Sequence, residues 1–585
     1  MGKGRYFYDL LENLSFRAIA TAGLCVLVGC ASNGQSGSGT GGTVGTGGST
    51  GSGTGGVTAT GGTTGTGGAT GGTGAGTGGS ATGGMTGTGG TGNHGGARAA
   101  GGAGGKGGGG AGAGGASDPG VAPSAVSGLM ITANPNSVLS CYVSWTTDQA
   151  ASSIVQFGAG SLQFEISDST LTTTHKVLVI GMKPNQTYMI KAISTNSGGS
   201  VNATGTFMSG TPPAQIPVGT VMINMTSKSQ PGWTLMNVQK GNGTTNARSN
   251  DPPYAVMYDS DGQPVWYYVD GTKPDIGGAV STELTDKGVL IGPSWDANNT
   301  SIDGVFPIEV DLAGNTVWQC GTSVCGNKNI THHASKLSNG DYALIEYVNS
   351  GSLQNPMYRE VSPDNQIVWT LDYSKFVPPP SGATGDWCHG NAVTIDIPNN
   401  VVYANCRWIG LLKTSYTNPA RAWLMQGTYT KTTLGDITFS PTAGRYSDTH
   451  DPDIHTDGTI SFYDNGGWNG STTPPAVGTY HSRAVEYKID ETAKTATLTW
   501  EFPGTFTPPD AWYTTSWYSP FWGSNIKLAN GNHLVAAGIR STTIESRVFE
   551  VASDGTVVWE FRFPTDYGVY RAHRITPPLV HPISN

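Results

Sequence analysis

The chain has 585 residues, a formal net charge of −9, only 12% charged side chains and 89 glycines. No basic block interrupts this acidic composition, which argues against a nucleic-acid partner. The glycines crowd into runs such as "TGGTVGTGGSTGSGTGG" between Asn33 and Ser117, where no core can form, so only the chain from about Asp118 onward can fold as globular domains.

At the N-terminus, Arg17 precedes the apolar run "AIATAGLCVLVGC", too short for a permanent membrane span. "LVGC", Leu27 to Cys30, resembles a bacterial lipobox, so residues 1–30 read as a lipoprotein signal peptide with Cys30 as the lipidated residue. Ala31 in the next place resembles a signal for outer-membrane sorting, facing periplasm or cell surface. Residues 31–117 then form a disordered Gly/Thr/Ser tether with a span of roughly 50 Å. The lipid anchor is the membrane contact this reading expects. Export places the five later cysteines in an oxidising compartment. Cys320 and Cys325, in "CGTSVC", can close a small loop, and Cys141 reads as a buried thiol.

Residues 118–212 read as a small fibronectin type III-like β-sandwich. "CYVSWTTDQAASSIVQFG" alternates like strands, with Trp145 as a core anchor. In "LVIGMKPNQTYMIKAIST", Tyr188 stands where a corner tyrosine would bond back to the chain. Nothing in this segment suggests chemistry.

From residue 213 to 585 the chain repeats. A strand ending in Asp-x-x-Gly-x-x-x-Trp or a variant recurs as "YDSDGQPVW", "VDLAGNTVW", "VSPDNQIVW" and "VASDGTVVW", ending at Trp266, Trp318, Trp369 and Trp559, with a degraded copy ending at Trp500. It alternates with a strand and tight turn, as in "HASKLSNGDYALIEY". A period near 50 residues is a β-propeller signature, and this length allows about six blades. "VYRAHRI" can close the ring against an early strand. The fold class expected is therefore all-β, a six-bladed β-propeller preceded by the sandwich.

The stretch "DWCHGNAVTIDIPNNVVYANCRW", residues 386–408, reads as a hairpin turning near Pro398 to Asn400. In a register where paired numbers sum to about 798, Asn391 faces Arg407 and His389 lies two residues along the same face. Cys388 and Cys406 are not directly opposed in that register. Counting eight residues back from the turn glycines Gly340 and Gly458 reaches His332 and His450, so three consecutive blades offer a channel histidine. His333 and His455 fall outside this count, His455 reading as a turn residue. Asp448, Asp451 and Asp453 read as turn and surface acids, and Arg571, His573 and Arg574 as closing-strand residues in preference to a channel cluster.

"DWCHGNAV" with "CRW", "THHASKLSNG", "THDPDIHTDG…DNG" and the repeated Trp strands resemble the bacterial arylsulfate sulfotransferases over roughly residues 213–580. The resemblance implies transfer of a sulfuryl group from an aryl sulfate donor to a phenolic acceptor, with no nucleotide donor, cofactor or metal. It implies His450 as a transiently sulfated nucleophile, with His332, His389, Asn391 and Arg407 around the sulfuryl group. The family's further hydroxyl has no secure place among Thr515, Ser519 and Ser524, and His333 stands where other members can carry an acid. Arg supplies a fixed cation and Asn neutral donors for charge on non-bridging oxygens. Two other readings remain: a non-catalytic tethered propeller that binds a glycan or protein, and a metalloenzyme ligated by the three histidines, against which Arg407 would act by repulsion.

Overall fold

A computed structural model describes residues 120–240, 254–269, 281–293, 306–326, 329–428, 433–467, 481–519, 521–538 and 541–583. Cys30, the signal peptide and the tether lie outside the described residues.

The first described unit is a sandwich made by one long bent hairpin. Strand Ser137–Ala159 pairs with Phe164–Val179 along most of its length, with register breaks at Thr146, Ala151 and Ser153. Before the bend it also pairs with Ser127–Asn134, and after it with Thr187–Asn196, which in turn pairs with Gly199–Met208. The breaks let one hairpin serve both layers. Trp145 fills the core and donates its indole N–H to Ser194 Oγ at 2.8 Å. Tyr188 Oη accepts from the Lys183 backbone N–H at 2.7 Å, five residues upstream.

Six sheets follow, and their innermost strands are Thr282–Leu284, Asn329–Lys336, Gly390–Asp396, Thr449–Ile454, Ser524–Lys527 and Tyr567–Ile575. Each touches the next, and the last touches the first, so the sheets are blades of a closed six-bladed propeller. The closing strand Tyr567–Ile575 pairs with Trp233–Lys240 in the first blade. The strand Thr220–Asn224 pairs with Val557–Arg562 on the outer edge of the sixth. Both ends of the ring are thus sewn into a blade begun by the other end.

The repeated tryptophans bind blades to one another. Trp266, Trp318, Trp369 and Trp559 donate their indole N–H to the carbonyls of Leu312, Pro363, Tyr416 and Ser260, each on the following blade, at 2.9–3.2 Å. Trp500, in the degraded copy, instead stacks on His533 with ring centroids 4.0 Å apart. The sandwich is fused to the ring: Trp145, Val143, Trp266 and Val289 belong to one continuous core. Asn134 Nδ2 donates to the Ala313 carbonyl, and the chain's last strand, His581–Pro582, pairs with the sandwich.

Two sulfur bridges are formed, Cys320–Cys325 and Cys388–Cys406, with Cys141 a buried free thiol. The second bridge corrects the hairpin register expected above. Val393 pairs with Ala404 and Ile395 with Val402, so paired numbers sum to 797, and beyond a bulge at Asn391, Gly390 pairs with Cys406. The slip arises at the turn, where Asn400 takes φ of 55° and donates its N–H to Ile397. That four-residue loop puts Cys388 and Cys406 Cα atoms 5.2 Å apart, within bridging range.

Candidate active site

Four inner strands bulge at one level of the channel. Pairing is interrupted between Ile330 and Ala334, Gly390 and Ala392, His450 and Asp453, and Val569 and Ala572. A bulge leaves residues out of the ladder and re-aims their side chains. Pro452 suits one, since it has no N–H to give a ladder. His332 and Asp451 have φ of 57° and 50° in theirs, and His389, just ahead of the strand Gly390–Asp396, has φ of 57°. Here the even count from the turn glycines breaks down: His332 sits inside a three-residue bulge, whereas His450 flanks a two-residue one whose positive-φ residue is Asp451.

The three histidines nonetheless meet. The His332 and His389 rings are edge-to-face at 4.8 Å, and the Tyr570 ring lies 5.6 Å from His450 and 6.3 Å from His332. Arg407 is close enough that its charge acts on both His332 and His450. All are buried.

Each imidazole has its own partner. His450 Nδ1 lies 2.7 Å from Asn465 Oδ1. Asn465 cannot be turned around, because its amide nitrogen already donates to the carbonyls of Ser519 and Trp522 at 3.0 and 2.9 Å. Asn465 therefore accepts, Nδ1 carries the proton, and Nε2 keeps its lone pair. Nε2 is buried with no hydrogen-bond partner among the described residues. Burial first, and then the Arg407 cation, hold His450 well below the usual imidazole range, against the Asn465 hydrogen bond. His332 pairs through Nδ1 with the Thr331 hydroxyl at 2.5 Å and is pushed down by burial and by the cluster's other cationic groups. His389 differs: Asp386 takes its Nδ1–H at 2.6 Å, and Trp408 stacks on its ring at 4.7 Å.

Arg407 pairs with buried Asp448 at 2.8 Å. Arg571 reaches Asp451 at 3.0 Å and His333 Nδ1 at 3.0 Å. The acids read as surface groups are thus interior: burial raises Asp448, Asp451 and Asp453, the last to about 8. Exposed turns and these bulges share the same Asp/Pro composition, so sequence alone does not separate them.

Asn391 is also corrected. It lies in a bulge of the pairing rather than directly opposite Arg407. Its amide donates to the Thr449 carbonyl at 2.8 Å and its oxygen accepts from Asn405 at 2.7 Å, bracing the fourth blade against the fifth. His333, outside the histidine count, is buried and bonded to Arg571. His455 heads the turn closed by Gly458, as its position suggested. Arg574 pairs with Glu550 at 3.1 Å, and His573 is pushed down by burial to about 4. Thr515 is exposed on the short helix Trp512–Thr515, Ser524 accepts from the Ala572 N–H, and the Ser519 hydroxyl donates to the Phe521 carbonyl. Among the described residues, none of these three hydroxyls bonds a histidine of the cluster; Thr331 does. Asn465 and Asp386 were the partners missed, although both stand in quoted motifs, "DNG" and "DWCHG".

The arylsulfotransferase (ASST) family model matches residues 219–571, from the strand Thr220–Asn224 into the closing strand. This chain belongs to that family. Membership of the arylsulfotransferases implies sulfuryl transfer with aryl sulfate and phenol substrates. No curated protein matches the chain. Among solved structures, it aligns with a quinonprotein alcohol dehydrogenase-like protein from Bacteroides thetaiotaomicron at 11% identity, over 74% of this chain and 94% of that one, with a TM-score of 0.27. It aligns with the Cps50 (Swd1) β-propeller domain of Myceliophteria thermophila at 7% identity, over 75% and 99%, with a TM-score of 0.26. At such scores these likenesses carry no weight, and the six-bladed architecture rests on the strand pairing. Among the described residues of this arylsulfotransferase, no group of three or more His, Cys, Asp or Glu is arranged to hold a metal ion.

Proposed function

We propose that the protein moves a sulfuryl group from an aryl sulfate ester to a phenolic acceptor through a sulfated His450, without a nucleotide sulfate donor. The observation that carries this reading is the buried, unpartnered Nε2 of His450, whose lone pair is fixed by the Asn465 contact on Nδ1. A neutral imidazole with its proton held on the far nitrogen is ready to attack without prior deprotonation.

In the first half-reaction His450 Nε2 forms the S–N bond while the S–O(aryl) bond breaks. The departing phenolate takes a proton from His389, whose Nδ1–H is held by Asp386, leaving Nε2 as the group that gives and regains it. In the second, the acceptor phenol forms the new S–O bond, returns its proton to His389 and releases His450. Sulfuryl transfer, like phosphoryl transfer, spreads charge over non-bridging oxygens, and Arg407 supplies a cation beside them. The chain has no Gly-rich Lys-Ser/Thr loop for a nucleotide phosphate. We also place the protein outside the cytoplasm as a lipoprotein held by Cys30, supported by "LVGC" and the glycine tether that follows it.

The test is incubation with a chromogenic aryl sulfate, with and without a phenol, adding neither metal nor nucleotide. Phenolate release should accelerate with acceptor, and intact-mass measurement should find one sulfuryl group on the enzyme in its absence. His450→Asn should abolish both. Activity persisting in that variant, or a wild type inert towards several donors with or without a chelator, would sink the reading in favour of a binding propeller.

A further inference from the structure

One guanidinium joins three blades directly beneath the histidine cluster. Arg571, on the closing strand, holds Nε 3.0 Å from Asp451 Oδ1 of the fifth blade, an ion pair rather than an aligned hydrogen bond. Its Nη1 donates to His333 Nδ1 of the third blade at 3.0 Å, and its Nη2 donates to the Asn391 carbonyl of the fourth at 3.3 Å. Asp451 and His333 are the immediate chain neighbours of His450 and His332. A guanidinium only donates, so His333 must accept on Nδ1 and give its Nε2–H to Ser335 Oγ, 3.1 Å away. His333 is therefore neutral, and Asp451 is the carboxylate directly paired with Arg571. A planar fork holds a carboxylate, an imidazole and a carbonyl in fixed directions, which an ammonium on a flexible stem does not.

We propose that Arg571 is a positioning residue that locks the bulges carrying His332 and His450 in place beside its own fixed positive charge. This rests on the transfer reading above. Charged and titratable groups reach Arg571 from every side: Asp451, His333 and Glu283 from three other blades, and Tyr570 and His573 from its own strand. Its positive charge is one of the influences that lower His332 and His450, after burial in both cases. The closing strand's pattern allowed a channel cluster as its lesser reading but not this tie, because an Arg in an inner strand equally suits a plain ion pair.

Two variants separate charge from geometry. Arg571→Lys keeps the cation but loses the fork, and Arg571→Met loses both. Removing a cation eases protonation of its neighbours, so in Arg571→Met the acid-side midpoint of the first half-reaction should rise measurably above that of the wild type. In Arg571→Lys that midpoint should stay near the wild type while kcat falls at least tenfold with KM little changed. The histidine ring signals, followed by NMR through the same titration without substrate, should move with the Met variant and not with the Lys variant. If neither variant alters the midpoint or the ring titrations and only thermal stability drops, Arg571 is a structural tie and the proposal fails. A wild type with no transferase activity would sink the transfer reading alone, since the ring titrations decide the effect of the Arg571 charge without any donor.

Discussion

Asp386 grips His389 twice, taking its backbone N–H on one carboxylate oxygen at 2.8 Å and its ring Nδ1–H on the other at 2.6 Å. His389 is the histidine of the cluster with a carboxylate behind it, which is what a proton donor to a departing phenolate needs. Asp386→Asn should therefore discriminate between donors. A poor leaving group should lose on the order of 10² in rate, the usual scale for general acid help, whereas a nitrophenyl sulfate should lose far less. Single-turnover rates across a series of phenol leaving groups measure this. An equal loss for all donors would remove His389 from the proton's path.

The histidine shifts give a pH dependence with a definite sign. An exposed imidazole is half protonated near pH 6.5. Burial holds His450 and His332 well below that range, so both stay neutral as the pH falls through it. With a donor whose phenolate needs no proton, the burst of phenolate should keep its rate from pH 8 down past pH 6 and fail only in more acidic solution. Rapid-mixing measurements check it. A limb with its midpoint near pH 6.5 would mean that the attacking nitrogen is more solvated than the closed cluster implies.

The two disulfides should differ in their consequences. Cys388–Cys406 closes the hairpin immediately beside His389 and Arg407, whereas Cys320–Cys325 spans a short loop on the second blade. Replacing Cys388 and Cys406 together by Ser should lower stability by about 3 kcal/mol, the order expected for a loop of this length. It should also reduce turnover more than tenfold in protein that remains folded. The corresponding Cys320/Cys325 double variant should leave turnover near the wild type. Melting curves and steady-state rates on the same preparations decide it, and equal turnover for both variants would count against the hairpin's role.

Cys30→Ser tests the anchor. The wild type should fractionate with membranes, and the variant should be released or accumulate as an unprocessed precursor. A wild type found wholly in the soluble fraction would refute lipidation.

Much of the ring was legible because its repeat has a physical job. Trp266, Trp318, Trp369 and Trp559 must each reach a carbonyl on the next blade, so their spacing from the Asp-x-x-Gly turn survives in the sequence. His332, His389 and His450 were legible as a set for the same reason, each standing at a similar distance from a turn. Register was harder to read. A hairpin loop one residue different from the expected one moved Asn391 from the face of Arg407 into a bulge, where its amide braces Thr449. Asn465 and Asp386 act through contacts set by those bulges, and periodicity carries no trace of them.

The double stitching of the ring ends also has a consequence in time. Tyr570 and Arg571 reach the cluster from a strand made hundreds of residues after its partner Trp233–Lys240, and the outer strand Thr220–Asn224 waits for Val557–Arg562. A nascent chain that stops short of Tyr567 has no assembled reaction centre. Premature stop codons throughout the propeller should therefore yield silence rather than a weakened enzyme. The protein can begin its chemistry only once the closing strand has taken its place.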